Sequence, residues 1–175
     1  MISRLTRARA TAAIGLTLLT GVVAAQERAT ILATATVVSS LTIIGTNNLQ
    51  FGTVTLGVNK SVDKATLGFA GEWTISGTNS AELSILFALP DSLLTIDSLS
   101  GMRISFASSD ASYGSLPAHQ TAPVGILDPN GPSARRLGVN GQMLIWIGGT
   151  VFPRISQTGG DYSAEILLTV AYTGS

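Results

Sequence analysis

Hydrophobic and polar positions alternate in short runs along most of the chain, with turn residues between the runs. A period of two marks strands with one face buried, and no stretch shows the 3.6-residue period of an amphipathic helix. Residues 29–38 (ATILATATVV) place Ile31, Ala33, Ala35 and Val37 on one face and threonines, Leu32 and Val38 on the other. Residues 41–52 predict two extended pieces around a turn at Gly45, Thr46, Asn47 and Asn48, with an edge strand continuing through Val54 and Leu56 to Gly57. Residues 60–69 alternate weakly, and residues 71–77 form a strand with Trp73 and Ile75 facing one way. In residues 82–89, Leu83, Ile85, Phe87 and Leu89 alternate until Pro90, which cannot donate to a ladder, ends the strand. Leu93 to Ile96 and Met102 to Phe106 predict two more strands.

Between Ser108 and Arg136 the alternation fails. Gly114, Pro117, Pro123, Gly125, Pro129, Gly131 and Pro132 punctuate the stretch, which predicts the longest loop, divided at most by a short strand near residues 124–127. Residues 142–151 (QMLIWIGGTV) are almost wholly apolar, as in a strand buried on both faces, with a bulge at Gly148 and Gly149. The last run, residues 160–172, aligns Tyr162, Ala164, Ile166, Leu168, Val170 and Tyr172 on one face. Eight to ten short strands predict an all-β fold of two antiparallel sheets around one core.

The first residues follow a different logic. Arg4, Arg7 and Arg9 precede an apolar run of 16 residues, from Ala10 to Ala25, that closes on Val23, Ala24 and Ala25. A basic start, a short apolar middle and a small-residue exit predict a cleavable signal peptide over residues 1–25. The run is shorter than the about 20 apolar residues of a spanning helix. Cleavage after Ala25 leaves 150 residues, the length of one domain, so residues 26–175 are read as one sandwich domain without a membrane span. The expected location is the periplasm, the cell surface or the medium.

Charge and composition narrow the function. Beyond Ala25 stand seven basic and ten acidic residues, a balance of −3, with no basic stripe of the kind that binds nucleic acid. The chain has no cysteine, which removes disulfides, thiolate metal sites and cysteine nucleophiles. His119 is the only histidine. A serine-type triad would need it beside a residue such as Ser115 and a carboxylate such as Asp110, yet no Gly-x-Ser-x-Gly elbow is present and His119 reads as a loop residue. Asp128 and Asn130 read as a turn rather than as calcium ligands. Glu72 and Glu82, or Asp91 and Asp97, read as solvated strand residues rather than as a glycosidase pair. Arg135 and Arg136 read as a solvated pair, and Trp73 and Trp146 as core anchors, with sugar stacking as the alternative. No catalytic residue, metal or cofactor is expected.

Three stretches, LTIIGTNNLQFGTV, GEWTISGTNSAELSILFALPDSLL and MLIWIGGTV followed by GGDYSAEILLTVAY, resemble the exported bacterial domain-of-unknown-function family 4402 and, more distantly, the subunits of adhesive pili. The resemblance covers residues 41–172 and implies an immunoglobulin-like antiparallel β-sandwich. The pilin likeness rests on the tail, where Gly160 precedes an alternating strand and Tyr172. Three residues follow Tyr172, and the cysteine pair usual in such subunits is absent.

The resemblance implies self-association, or association with other surface subunits, by β-strand addition, with a periplasmic chaperone as a further partner. Tyr162, Ile166, Leu168, Val170 and Tyr172 are then the acceptor edge, and Ile31, Ala33, Ala35 and Val37 the face of a donated strand. Residues 26–40 are either that donor or the first strand of their own domain. The alternative function is a monomeric periplasmic or secreted binding module, for example for carbohydrate, using the 108–136 loop.

Overall fold

A computed structural model of the chain describes residues 40–174. The expected signal peptide and the donor face of Ile31, Ala33, Ala35 and Val37 lie outside the described residues.

Among the described residues twelve strands follow one another: β1 (Thr42–Asn47), β2 (Lys60–Val62), β3 (Gly71–Ser76), β4 (Glu82–Ala88), β5 (Ser92–Leu94), β6 (Gly101–Ser105), β7 (Ala111–Gly114), β8 (Gly125–Leu127), β9 (Ser133–Arg136), β10 (Gln142–Ile147), β11 (Gly149–Phe152) and β12 (Leu167–Tyr172). They form a five-stranded sheet β1-β3-β10-β7-β8, a four-stranded sheet β2-β11-β6-β5 and a three-stranded sheet β12-β4-β9. Every pairing is antiparallel.

The five- and three-stranded sheets meet across the larger core. Ile75 of β3, Met143, Ile145 and Ile147 of β10, and Leu83, Ile85 and Phe87 of β4 supply most of it. β4 shows the cleanest alternation, with its odd-numbered residues buried and Ser84, Leu86 and Ala88 exposed, as its sequence predicts. A second core lies on the four-stranded sheet, where Val62, Met102, Ile104 and Val151 pack with Phe51. Phe106 packs against both cores.

β10 is the central strand and is buried on both faces, as its apolar run predicts. The apolar stretch is not one strand with a bulge. The chain leaves the five-stranded sheet at Ile147 and enters the four-stranded sheet at Gly149, so Gly148 is a crossing between sheets. A Cβ on Gly148 would collide with the Val62 carbonyl oxygen and stand 2.8 Å from the Lys64 nitrogen. Backbone packs against backbone there, and only glycine fits.

Other expectations change as well. Gly45 and its neighbours do not form a turn: β1 runs through them and absorbs one irregularity between Gly45 and Asn47, where the Asn47 side-chain amide donates to the Ala70 carbonyl (2.7 Å). Val54 and Leu56 are not in a strand. The 108–136 stretch is not a long loop but β7, a 3₁₀ turn over Pro117–Gln120, β8 and β9. Its glycines and prolines mark the joints of strands three or four residues long, too short to show alternation.

Gly148→Ala should lower stability by about 1–3 kcal/mol, the usual cost of overpacking a close contact. A urea midpoint equal to that of the unaltered chain would contradict the crossing.

Candidate functional site

The two facing sheets close differently on their two sides. On one side stand β8 and β9, joined by residues 128–132. The Arg135 Nη2 group donates to the Ile126 carbonyl (3.3 Å), and its guanidinium lies 5.4 Å from the centre of the Tyr113 ring. One side chain of the three-stranded sheet thus spans to the five-stranded sheet. The expected solvated arginine pair is divided in role: Arg135 bridges, and Arg136 makes an exposed ion pair with Glu82 at 3.8 Å. Asn130 steadies the connection by donating its side-chain amide to the Phe106 carbonyl (3.0 Å). Its backbone N–H donates to the Asp128 carboxylate (2.9 Å), so these two residues form a turn, as the sequence predicts.

The other side has no such closure among the described residues. Its edges are β1 and β12, and each has a partner strand on one flank only. Ile43 of β1 stands opposite Ile75, and Val170 of β12 opposite Ile85. Directly paired residues share a face, so all four point toward the core. Ile75 and Ile85 are 0% exposed, whereas Ile43 is 38% exposed and Val170 is only half-buried. The inner faces of both sheets are therefore fully covered in the middle and only partly covered by the described residues at this edge.

Gly45 widens the opening. It pairs with Trp73 and carries no side chain to screen it. Trp73 meets Phe87 of the opposite sheet edge-on, with centroids 6.0 Å apart. Toward the ends of the strands at Asn47 and Leu167, the gap becomes a cleft of about 1100 Å³. Phe51, Trp73, Leu93, Met102, Ile104 and Val151 are among its apolar lining residues.

The residues singled out on the last strand fall along this side. Tyr162 and Ile166 line the cleft, Leu168 is buried in the larger core, and Val170 and Tyr172 pack against its margin. The strand is shorter than predicted. It begins at Leu167, and residues 160–166 pair with a sheet only where Ser163 bridges Leu94. Gly160, at φ +144°, takes a backbone conformation that interrupts a strand. Tyr162 is fixed through its hydroxyl, which donates to the Thr158 carbonyl (2.6 Å) and accepts from the Gln157 amide (2.7 Å). The Tyr172 hydroxyl accepts from the Thr78 N–H (2.8 Å) and donates to the Ser40 carbonyl (3.0 Å). It ties the start of the described chain to the end of β12.

The other candidates are occupied structurally. The His119 Nδ1 accepts from the Ser115 backbone N–H (3.1 Å), and the Asp110 carboxylate accepts from the Ala107 N–H (2.8 Å). Trp146 is wholly buried, which rules out sugar stacking on it. Among the described residues, no group of three or more histidine, aspartate or glutamate residues is placed to hold a metal ion. No helix among them is long and apolar enough to cross a membrane.

The class defined by this architecture is a nearly all-β protein of antiparallel sheets. The sequence matches no protein-family model and no curated protein.

Tyr172→Phe should cost about 1 kcal/mol and speed hydrogen exchange at the Thr78 amide. Exchange at that amide unchanged from the parent chain would contradict the latch.

Proposed function

We propose that the chain is an exported, non-catalytic structural subunit, pilin-like or part of a surface layer, that joins its neighbours by β-strand addition. In this reading residues 1–25 are removed as a signal peptide, and the remainder is an immunoglobulin-like sandwich related to the resembled family. The supporting observation is the partly covered inner face between β1 and β12: Ile43 and Val170 point inward but are only partly covered by the described residues, while the residues opposite them are fully buried. An added strand supplies backbone hydrogen bonds to an edge and side chains to the gap.

Residues 29–38 suit that role. They alternate, carry no charge, and place Ile31, Ala33, Ala35 and Val37 on one face. Their ten residues equal the run from Ser163 to Tyr172 in number, about 33 Å of extended chain. A periplasmic chaperone would cover the same gap before assembly.

A binding module is the second reading, and the cleft favours it. The 108–136 stretch supplies none of the cleft's lining residues, so a ligand would instead meet Phe51 and Trp73.

A surface-shear fraction, run on a denaturing gel with and without boiling, separates the two. The subunit reading expects a ladder that collapses on boiling to one band of the mature mass. A monomer band in both lanes would favour the module. Ala35→Asp should abolish the ladder by burying a carboxylate in an apolar gap, while leaving the thermal midpoint of the monomer unchanged. A persistent ladder in that variant would contradict the assignment of the donor face.

A further inference from the structure

The cleft is lined by two backbone segments and by the second core. One segment, residues 47–54, leads on from the end of β1. The other, residues 157–166, leads into β12. Between them lie Met102, Ile104 and Val151, all buried, which give the cleft an apolar base.

Both segments are braced. The Gln50 N–H donates to the Phe69 carbonyl (2.8 Å), close to the bond from Asn47 to Ala70. On the other segment, Ser163 and Leu94 exchange two backbone hydrogen bonds (2.8 and 2.9 Å), and the Tyr162 hydroxyl is held by Gln157 and Thr158. Gln157 also donates to the Ser100 hydroxyl (3.2 Å) and the Gly101 carbonyl (3.2 Å). The cleft is therefore preformed, with an apolar base and polar groups at its sides, as sites for small molecules are.

Charge says which molecules suit it. Among the described residues that line the cleft, the charged ones are Asp161 and Glu165, both exposed, and no lysine, arginine or histidine is present. Lys60 approaches the first segment at Gly52, but its ammonium donates to the Thr53 carbonyl (2.9 Å). A bound anion would meet two carboxylates without a free cation to offset them, whereas a bound cation is attracted by both. The aromatic rings of Trp73 and Tyr162, also in the lining, favour a cation in the same sense. A bare metal ion lacks ligands here, since no group of three or more acidic or histidine side chains is placed to hold one among the described residues. The apolar base asks instead for a hydrocarbon body.

We infer that the cleft binds an amphiphilic organic cation, a small molecule with an apolar body and an ammonium group. The body lies on the apolar base beside Trp73, and the ammonium meets Asp161 and Glu165. The inference rests on the binding-module reading of the cleft. The Asn48 and Gln50 side chains, exposed on the opposite segment, offer amide oxygens that accept from the same ammonium.

The test titrates the full-length protein, at neutral pH and low salt, with two compounds of nearly one shape and opposite charge, phenylbutylamine and phenylbutyrate. The chain has two tryptophans, and their indole N–H signals in nuclear magnetic resonance spectra report separately. Trp73 lines the cleft, and Trp146, wholly buried, is the internal control. The inference expects the amine to move the Trp73 signal with a dissociation constant about fivefold or more below that of the butyrate, the size expected of solvent-exposed charges. The Trp146 signal stays in place. In the Asp161→Asn, Glu165→Gln double variant, altered only at exposed positions, the two constants should fall within about twofold of each other. Equal constants in the parent protein overturn the cation and leave the cleft a binding site. A preference that survives in the double variant overturns the role of the two carboxylates. A Trp73 signal unmoved by either compound overturns the site together with the binding-module reading, and leaves the gap to a strand of this chain or of a second copy.

Discussion

An apolar core between two sheets has to be covered on every flank, and among the described residues one flank is covered only in part. Ile75 and Ile85 are sealed, but Ile43 and Val170, one strand further out, face the same interior with only partial cover. On the opposite flank Arg135 spans the sheets and the chain passes directly from β8 to β9. Among the described residues the sheets are bridged at β8 and β9 and end without a further partner at β1 and β12. Without cysteine, no disulfide ties the open flank. The driving force for covering the gap is ordinary hydrophobic burial, about 25 cal/mol per Å² of apolar surface removed from water.

Two glycines and one tyrosine set the geometry of that flank. Gly148 lets the central strand pass from one sheet to the next, which extends the interior from the larger core into the second one beneath the cleft. Gly45 leaves Trp73 unscreened at the margin. Tyr172 holds the start of the described chain against the end of β12. Local packing and the shape of the flank are linked through these residues.

Much of the fold was legible in the pattern of residues. The alternation of β4 and the double-sided burial of β10 follow from the pattern in the sequence, because each strand is long enough to show its period. β7, β8 and β9 were not legible, since strands of three or four residues between glycines and prolines look like loop. Gly148 read as a bulge because a sheet crossing and a bulge both ask for glycine within an apolar run. The inward face of the last strand was visible in its alternation, but the open margin was not. Ile43 looks like any strand isoleucine, and its lack of cover depends on which strands happen to be edges. The bridging role of Arg135 depends on partners distant from it in the fold and leaves no local mark.

The most direct measurement is hydrogen–deuterium exchange on assembled material and on the same material after dissociation to monomer. The account predicts that amides of β1 and β12 are protected in the assembly and exchange faster in the monomer, while those of β8 and β9 exchange alike in both. Equal exchange along β12 in the two states, or added protection confined to β8 and β9, would contradict it.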